Sequence, residues 1–300
     1  MTEKSGVFAV VGRPNVGKST LINALVGEKV SITANRPQTT RHSIMGIATE
    51  GDCQMVFIDT PGIHQTARKT LNRQLNKAAR AAFEDVDLIV MLFRVLRWTE
   101  EDQRVLEDIQ RSGKPYILVP NMMDRVQDKV EAANFMGSLP GVAEAVAVVP
   151  ISAARGRNLD RLKAVLQTHC EREEFLYDPD LYTDKPMRFI AAELVREQAT
   201  RLLDSELPYA LTVLVDSFEL QAQRYIIQAT IWVERESQKA IVIGKGGQQL
   251  KQIGTLARKA MMHQFGNKVH LELVVKVRKD WSDNLAALRA LGYQDGPDAQ

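Results

Sequence analysis

An α/β domain with a doubly wound, mostly parallel sheet, followed by a smaller α+β domain, is the architecture this sequence predicts. Three observations carry it. The stretch Gly12-Arg13-Pro14-Asn15-Val16-Gly17-Lys18-Ser19-Thr20 matches G-x-x-x-x-G-K-[ST], between an apolar run at Val7–Val11 and an apolar-faced helical run at Leu21–Val26. Strand-like apolar runs then alternate with helix-like stretches to about Glu174, the signature of a parallel sheet with its site at the strands' carboxyl ends. After residue 187 the order becomes α-β-β-α-α-β, with I-G-x-x-G between two helices.

The first motif needs these residue types. A nucleotide's β- and γ-phosphates carry several negative charges, and the N–H groups and dipole of a helix start favour them. Gly12 and Gly17 let the backbone approach. Lys18 brings a mobile charge to the phosphates, and Ser19 offers a hydroxyl to Mg²⁺. A glycine turn that merely precedes a helix would not require the Lys-Ser pair.

Bulk properties narrow the class. The chain has 300 residues, enough for about two domains. At 45% hydrophobic and 25% charged, each domain can bury an ordinary core. The net charge of +2 decides nothing by itself, so the distribution of charge matters more. The two cysteines, Cys53 and Cys170, are far apart in sequence and in no metal spacing, which suggests a reducing compartment and no disulfide framework. Residues 1–6 run straight into the first strand, so no signal peptide is expected. No apolar run approaches the length of a membrane span.

In chain order, Ser31–Arg41 is polar, contains Pro37 and has no periodicity; it reads as a loop in which Thr40 or Thr39 could close over Mg²⁺. Ser43–Thr49 and Gln54–Ile58 read as strands paired across Glu50-Gly51-Asp52. The second runs into Asp59-Thr60-Pro61-Gly62. An acid at the end of a buried strand, after a phosphate loop, can hold Mg²⁺ through a water, and the Gly62 N–H can reach a γ-phosphate. Ile63 follows where a Ras-like GTPase has a water-orienting glutamine. Another group, a bound cation or a partner must then place the water, or hydrolysis is slow.

His64–Phe83 is helix-prone, with Leu71, Leu75 and Ala79 on one face. Val86–Phe93 reads as a central parallel strand. Thr99 can cap a helix whose first turn carries Glu100, Glu101 and Asp102. Pro115–Val119 is the next strand and ends at Asn121-Met122-Met123-Asp124, where guanine-nucleotide proteins carry N-K-x-D. The aspartate would accept from guanine N1 and N2, which adenine cannot satisfy, and the asparagine would brace the loop. Met122 can cover a base but supplies no charge. Ala145–Ile151 is the last strand of this half. It leads into Ser152-Ala153, a turn whose N–H groups can reach guanine O6, and Leu159–Cys170 closes as a helix.

Residues 175–187, with Pro179 and Pro186, read as a linker between a domain at 1–174 and one at 188–300. In the second domain, Arg188–Leu203 is helical, Leu211–Val215 and Tyr225–Val233 form a hairpin, and Val269–Val277 alternates strictly as a last strand. A helix begins after Ile243-Gly244-Lys245-Gly246-Gly247 and continues to about His263. The element order with I-G-x-x-G reads as a type II KH fold, whose loop lets single-stranded RNA phosphates approach the backbone. Lys239, Lys245, Lys251, Arg258, Lys259, Lys268, Lys276, Arg278 and Lys279 bias this half toward RNA over a merely solvated face. Trp281, Leu285 and Leu288 are expected to pack a short tail helix, with fraying from Gly296.

Taken together, G-R-P-N-V-G-K-S-T, P-Q-T-T-R-H, D-T-P-G, R-W-T at Arg97–Thr99, P-I-S-A, E-L-P-Y at Glu206–Tyr209, V-E-R-E at Val233–Glu236 and I-G-x-x-G resemble the bacterial Era family over nearly the whole chain. The resemblance implies an α/β P-loop GTPase domain and a type II KH domain. It implies Mg²⁺-dependent GTP hydrolysis, with GTP and GDP as ligands, and binding of the 3′ end of 16S rRNA in maturation of the small ribosomal subunit. It also implies a cytoplasmic location with peripheral inner-membrane association; a monomer is expected. Asn15 stands where kin of this family use K⁺ to promote hydrolysis, which would offset Ile63. By the same resemblance nucleotide falls to residues 12–20, 59–63 and 121–124 with Ser152 and Ala153. Metal falls to Ser19, Thr40 and Asp59, and catalysis to Asn15, Lys18, Thr40 and Gly62. RNA falls to Ile243–Gly247, Lys251 and Arg258.

Four features depart from the family pattern. Met122 replaces the guanine-loop lysine, Pro120 lacks a backbone donor, Phe93-Arg94-Val95-Leu96 replaces small or acidic residues, and Gly246 replaces a lysine. Arg94 is expected to alter the site's electrostatics. They motivate an alternative: an RNA-binding assembly protein with a weak or silent nucleotide site. Relaxed base choice is a third reading.

Overall fold

A computed structural model of the chain describes residues 3–34, 39–60, 70–71, 73–75, 83–204, 207–290 and 293. Two compact units divide it. The first comprises residues 1–31, 40–67 and 75–184; the second comprises 32–39, 68–74 and 185–300.

The first unit is a sheet with helices on both faces. Strand β1 (Lys4–Val11) leads into helix α1 (Lys18–Val26), and β2 (Ile44–Glu50) and β3 (Cys53–Asp59) form a hairpin. Then follow β4 (Leu88–Arg94), α2 (Glu100–Ser112), β5 (Tyr116–Asn121), α3 (Lys129–Gly137), β6 (Ala147–Val148) and α4 (Leu159–Gln167). The sheet order is β2-β3-β1-β4-β5-β6, with only β2 antiparallel to its neighbour. Strand β4 therefore lies in the middle, and its apolar run is buried on both faces. One face packs Phe8, Val10, Phe57 and Val90 against Leu21 and Ile22 of α1 and Leu162 and Leu166 of α4. The other packs Ala9, Ile89 and Met91 against Val105, Leu106 and Ile109 of α2. Thr99 caps α2 through a reciprocal box with Asp102, as its spacing predicts.

Strand β6 is shorter than the expected Ala145–Ile151. Val149 and Ile151 still donate to the carbonyls of Leu118 and Pro120, at 2.9 and 2.8 Å. Pro120 has no N–H to return, so regular pairing ends at Val148. Helix α4 also stops before Cys170, because His169 and Cys170 make tighter bonds back to Leu166 and Gln167. The segment expected as a plain linker is partly fixed in this unit. Buried Gln54 accepts from the N–H groups of Leu176 and Tyr177 and donates to the Tyr177 carbonyl. The cysteines that the sequence separates lie together on the face under α4, both as free thiols.

The second unit holds α5 (Met187–Leu202), β7 (Leu211–Gln221), β8 (Arg224–Val233), α6 (Glu236–Ile243), α7 (Gln248–Phe265), β9 (Lys268–Val277) and α8 (Leu285–Ala290). Its sheet runs β7-β8-β9, with β7 antiparallel and β9 parallel to β8. This is the order the sequence predicts. Trp281 is fully buried, donates to the Ala210 carbonyl at 3.1 Å and stacks on Tyr293. Leu288 is buried, but Leu285, the first residue of the short α8, is 47% exposed, against expectation. Leu71 and Leu75 are buried as expected. Ala79, most of the helix expected over 64–83 and the tail from Gly296 lie outside the described residues.

Candidate nucleotide and RNA sites

Parallel strands deliver their carboxyl ends to one edge, and the candidate residues converge there. β1 ends in the loop from Gly12, β3 ends at Asp59 and β5 ends at Asn121. Two glycines are dictated by packing. At Gly17 (φ 102°) a Cβ would lie 2.5 Å from the side-chain nitrogen of Asn121, and at Gly12 it would lie 2.1 Å from the Leu92 carbonyl oxygen. Asn15 is exposed at the loop's tip in a left-handed conformation, φ 62°.

Lys18 folds back over this loop and donates to the carbonyls of Gly12 at 3.0 Å and Arg13 at 3.2 Å. Burial lowers its ammonium to about 8, opposed by the Asp59 carboxylate and reinforced by Arg13. Thr40 Oγ1 lies 2.8 Å from Ser19 Oγ and donates to Asp59 Oδ2 at 3.2 Å. Asp59 is fully buried, and burial raises its carboxyl above the usual carboxylate range despite Lys18. Its Oδ1 has no hydrogen-bond partner among the described residues. Two hydroxyls and a desolvated carboxylate, one of whose oxygens is orphaned, are a hard-oxygen donor set, and they fit Mg²⁺.

Between the two threonines left open by the sequence, the structure brings Thr40 to this cluster. The Thr39 carbonyl instead accepts from Arg196 of α5. The Thr60 hydroxyl turns inward and donates to the Val10 carbonyl at 2.9 Å, a strand-end brace. Pro61, Gly62 and Ile63 lie outside the described residues.

The loop at the end of β5 is organised by Asn121. Its Nδ2 donates to the Val16 carbonyl at 2.8 Å, and its Oδ1 accepts from Met122 N at 2.8 Å and Ala153 N at 3.0 Å. The Ala153 N–H is thus engaged in bracing the loop. Met122 takes a left-handed conformation, φ 69°, that turns the chain toward Asp124. Asp124 is exposed and accepts from Ser152 Oγ at 2.5 Å, which holds its carboxyl below the usual range and so ionised. Arg94 is the last residue of β4, in register beside Asn121.

Sequence reasoning missed three supports. Arg13 forms an ion pair at 3.0 Å with the fully buried Asp102, which ties the phosphate loop to the capped start of α2. Glu197 of α5 accepts from the Thr33 backbone at 3.0 Å, and Arg201 donates to the Thr33 carbonyl at 2.9 Å. Arg196, itself buried, is held by both oxygens of Glu193.

In the second unit, Ile243 ends α6 and Gly247 precedes α7, so the loop joins two helices as expected. At Gly244 (φ 73°) a Cβ would fall 2.6 Å from that of Gln249, so the backbone there comes close to the next helix. Gly246 has open space around it. Lys245 and Lys251 are exposed, and Arg258 lies half-buried about three turns along α7. Ile241, 57% exposed, is an apolar neighbour that the charge-based reading passed over.

The model of the family described as 50S ribosome-binding GTPase matches residues 7–122, and that of the KH domain matches residues 206–282. GTPase Era of Pseudomonas fluorescens (strain Pf0-1) is 47% identical over 292 residues, covering 97% of each chain. That of Azotobacter vinelandii is 47% identical over 299 residues, covering 98% of this chain and all of the relative. The chain belongs to the Era GTPase family. Among solved structures, Aquifex aeolicus Era bound to GDP and AlF4⁻ superposes with TM-score 0.94 at 35% identity, covering 97% of this chain and 100% of that one. Era in complex with MgGDPNP and nucleotides 1506–1542 of 16S ribosomal RNA also gives TM-score 0.94 at 35% identity, with 98% and 100% covered. The expected two-part fold of this Era family member is thereby established. Among its described residues, no helix is long and apolar enough to cross a membrane.

Proposed function

We propose that this chain is a GTP-binding and GTP-hydrolysing switch that binds the 3′ end of 16S rRNA and assists maturation of the small ribosomal subunit. The observation that carries the enzymatic part is the cluster of half-buried Ser19 with buried Lys18, Thr40 and Asp59, in which one Asp59 oxygen has no partner among the described residues. Ser19, Thr40 and Asp59 would hold Mg²⁺, which when bound neutralises charge developing on the β- and γ-phosphates. Lys18 exchanges its two carbonyls for phosphate oxygens. The loop N–H groups and the start of α1 bind and orient the triphosphate tail. Asp124 selects guanine by accepting from its N1 and N2, while Asn121 keeps that loop against the phosphate loop. Ile63 cannot orient water. Asn15, exposed at the loop's tip, would hold a K⁺ that supplies the positioning charge, the Gly62 N–H would reach the γ-phosphate, and turnover should be slow and potassium-stimulated.

RNA binds across Ile243–Gly247 with Lys251 and Arg258. Nucleotide state reaches it by reciprocal coupling. Support for this comes from the segment that leads into Thr40: α5 holds it at Thr33 and Thr39. The protein works as a cytoplasmic monomer with peripheral inner-membrane association.

Calorimetric titration with GTP, GDP and ATP in potassium buffer tests the core of this reading. GTP and GDP should bind and ATP should not; indifference to all three at millimolar concentration would end it. The second reading, a weak or silent nucleotide site, is favoured by Met122. Wild-type turnover equal to that of Met122→Lys would exclude it.

A further inference from the structure

Cys53 opens β3, and Cys170 lies just past the end of α4. Side chains alternate along a strand, so Cys53 shares the face of Met55 and Phe57, which α4 covers. Cys170 is 3% exposed in that layer, and Cys53 sits half-buried against it. The Cys170 thiol donates to the Leu166 carbonyl of α4 at 3.7 Å and lies 4.0 Å from the carbonyl oxygen of Gln54, the residue next to Cys53. Gly6 makes the seat: a Cβ there would lie 3.1 Å from Cys170 Sγ. An ion pair between Lys163 of α4 and Glu50 already ties this helix to the hairpin of β2 and β3.

We propose that Cys53 and Cys170 are a second chemical site, a thiol pair that hydrogen peroxide converts reversibly to an intrachain disulfide. Solvent reaches Cys53, so it reacts first. Its proton leaves and its sulfur attacks one peroxide oxygen; the O–O bond breaks, hydroxide departs and becomes water, and Cys53 carries a sulfenic acid. The Cys170 sulfur then displaces that hydroxyl. The S–S bond forms, the S–O bond breaks, and the Cys170 proton leaves in a second water. Two thiols are oxidised by two electrons, and one peroxide is reduced to two waters. Burial raises the Cys170 thiol above its ordinary range, so it is protonated while Cys53 meets the peroxide. The new bond would close a long loop, joining the start of β3 to the end of α4 and restricting the unfolded chain. Asp59 stands at the opposite end of β3, so the phosphate edge stays clear of the bond.

The test treats the purified full chain with hydrogen peroxide, alkylates remaining thiols under denaturing conditions and maps peptides without reduction. The expected product is a peptide pair joined through Cys53 and Cys170, lighter by two hydrogens and separated by dithiothreitol. It should be absent from Cys53→Ser and Cys170→Ala, and the melting temperature should rise on oxidation in the wild type alone. Should Cys170→Ala not fold, Cys53→Ser, at a half-exposed strand end, still provides the control. Recovery of Cys53 as sulfinic or sulfonic acid beside an alkylated Cys170 would overturn the proposal. So would a disulfide found only between two chains.

Discussion

Asn121→Ala removes one side chain that the fold uses three times. Asn121 is 3% exposed, and its amide joins the phosphate loop at Val16, the Ser-Ala turn at Ala153 and its own loop at Met122. Alanine keeps none of these bonds. The bonds to Val16 and Ala153 are both buried, and each buried group left without a partner costs roughly 1–3 kcal/mol, so the nucleotide-free protein should lose about 2–6 kcal/mol. For a domain of roughly 150–250 residues each kcal/mol shifts the midpoint by about 2–4 °C, so the first unit should melt about 10 °C lower. Asn121→Asp preserves shape but sets an oxygen against the Val16 carbonyl, and it should lose as much. Calorimetric unfolding of the full chain, with and without GDP, reads both variants. A midpoint within about 2 °C of wild type for either one would refute the view that this amide holds the nucleotide edge together.

Lys18 titrates at about 8 in the folded chain against 10.5 for an ordinary lysine. Between those values the unfolded chain binds more protons, so folding gains stability as pH rises. Wild type should therefore gain about 2–3 kcal/mol over Lys18→Met between about pH 7 and 10, and a flat difference in urea unfolding would remove the claim of a buried ammonium. Asp59→Asn replaces a desolvated carboxylate with a neutral amide. Its melting temperature should match or exceed wild type in the absence of nucleotide while GTP turnover falls about 100-fold or more; parallel loss of both would point to a structural role instead. Lys245→Ala should leave unfolding unchanged and weaken binding of nucleotides 1506–1542 of 16S rRNA. The slope of log affinity against log salt should fall by about 0.7 for one lost phosphate contact on a single strand, and an unchanged slope would place Lys245 off the RNA path.

What could be read from the chain alone was whatever depends on neighbours in sequence. Gly17-Lys18-Ser19 announces a phosphate loop because backbone geometry and helix start are set within a few residues. Period-two and helical spacing gave the strands and helices of both units, and Thr99 marked the start of α2. Asn121 and Asp124 suggested a guanine loop by their distance along one turn. Tertiary structure decided which groups meet across the sheet. It brought Thr40 and left Thr39 to Arg196, ended β6 where Pro120 has no N–H to give, paired Arg13 with Asp102, and set Cys53 under Cys170. Each of those partners arrives by a crossover or from another helix. Which one arrives depends on how residues far apart in the chain fill a shared layer, and no local pattern records that.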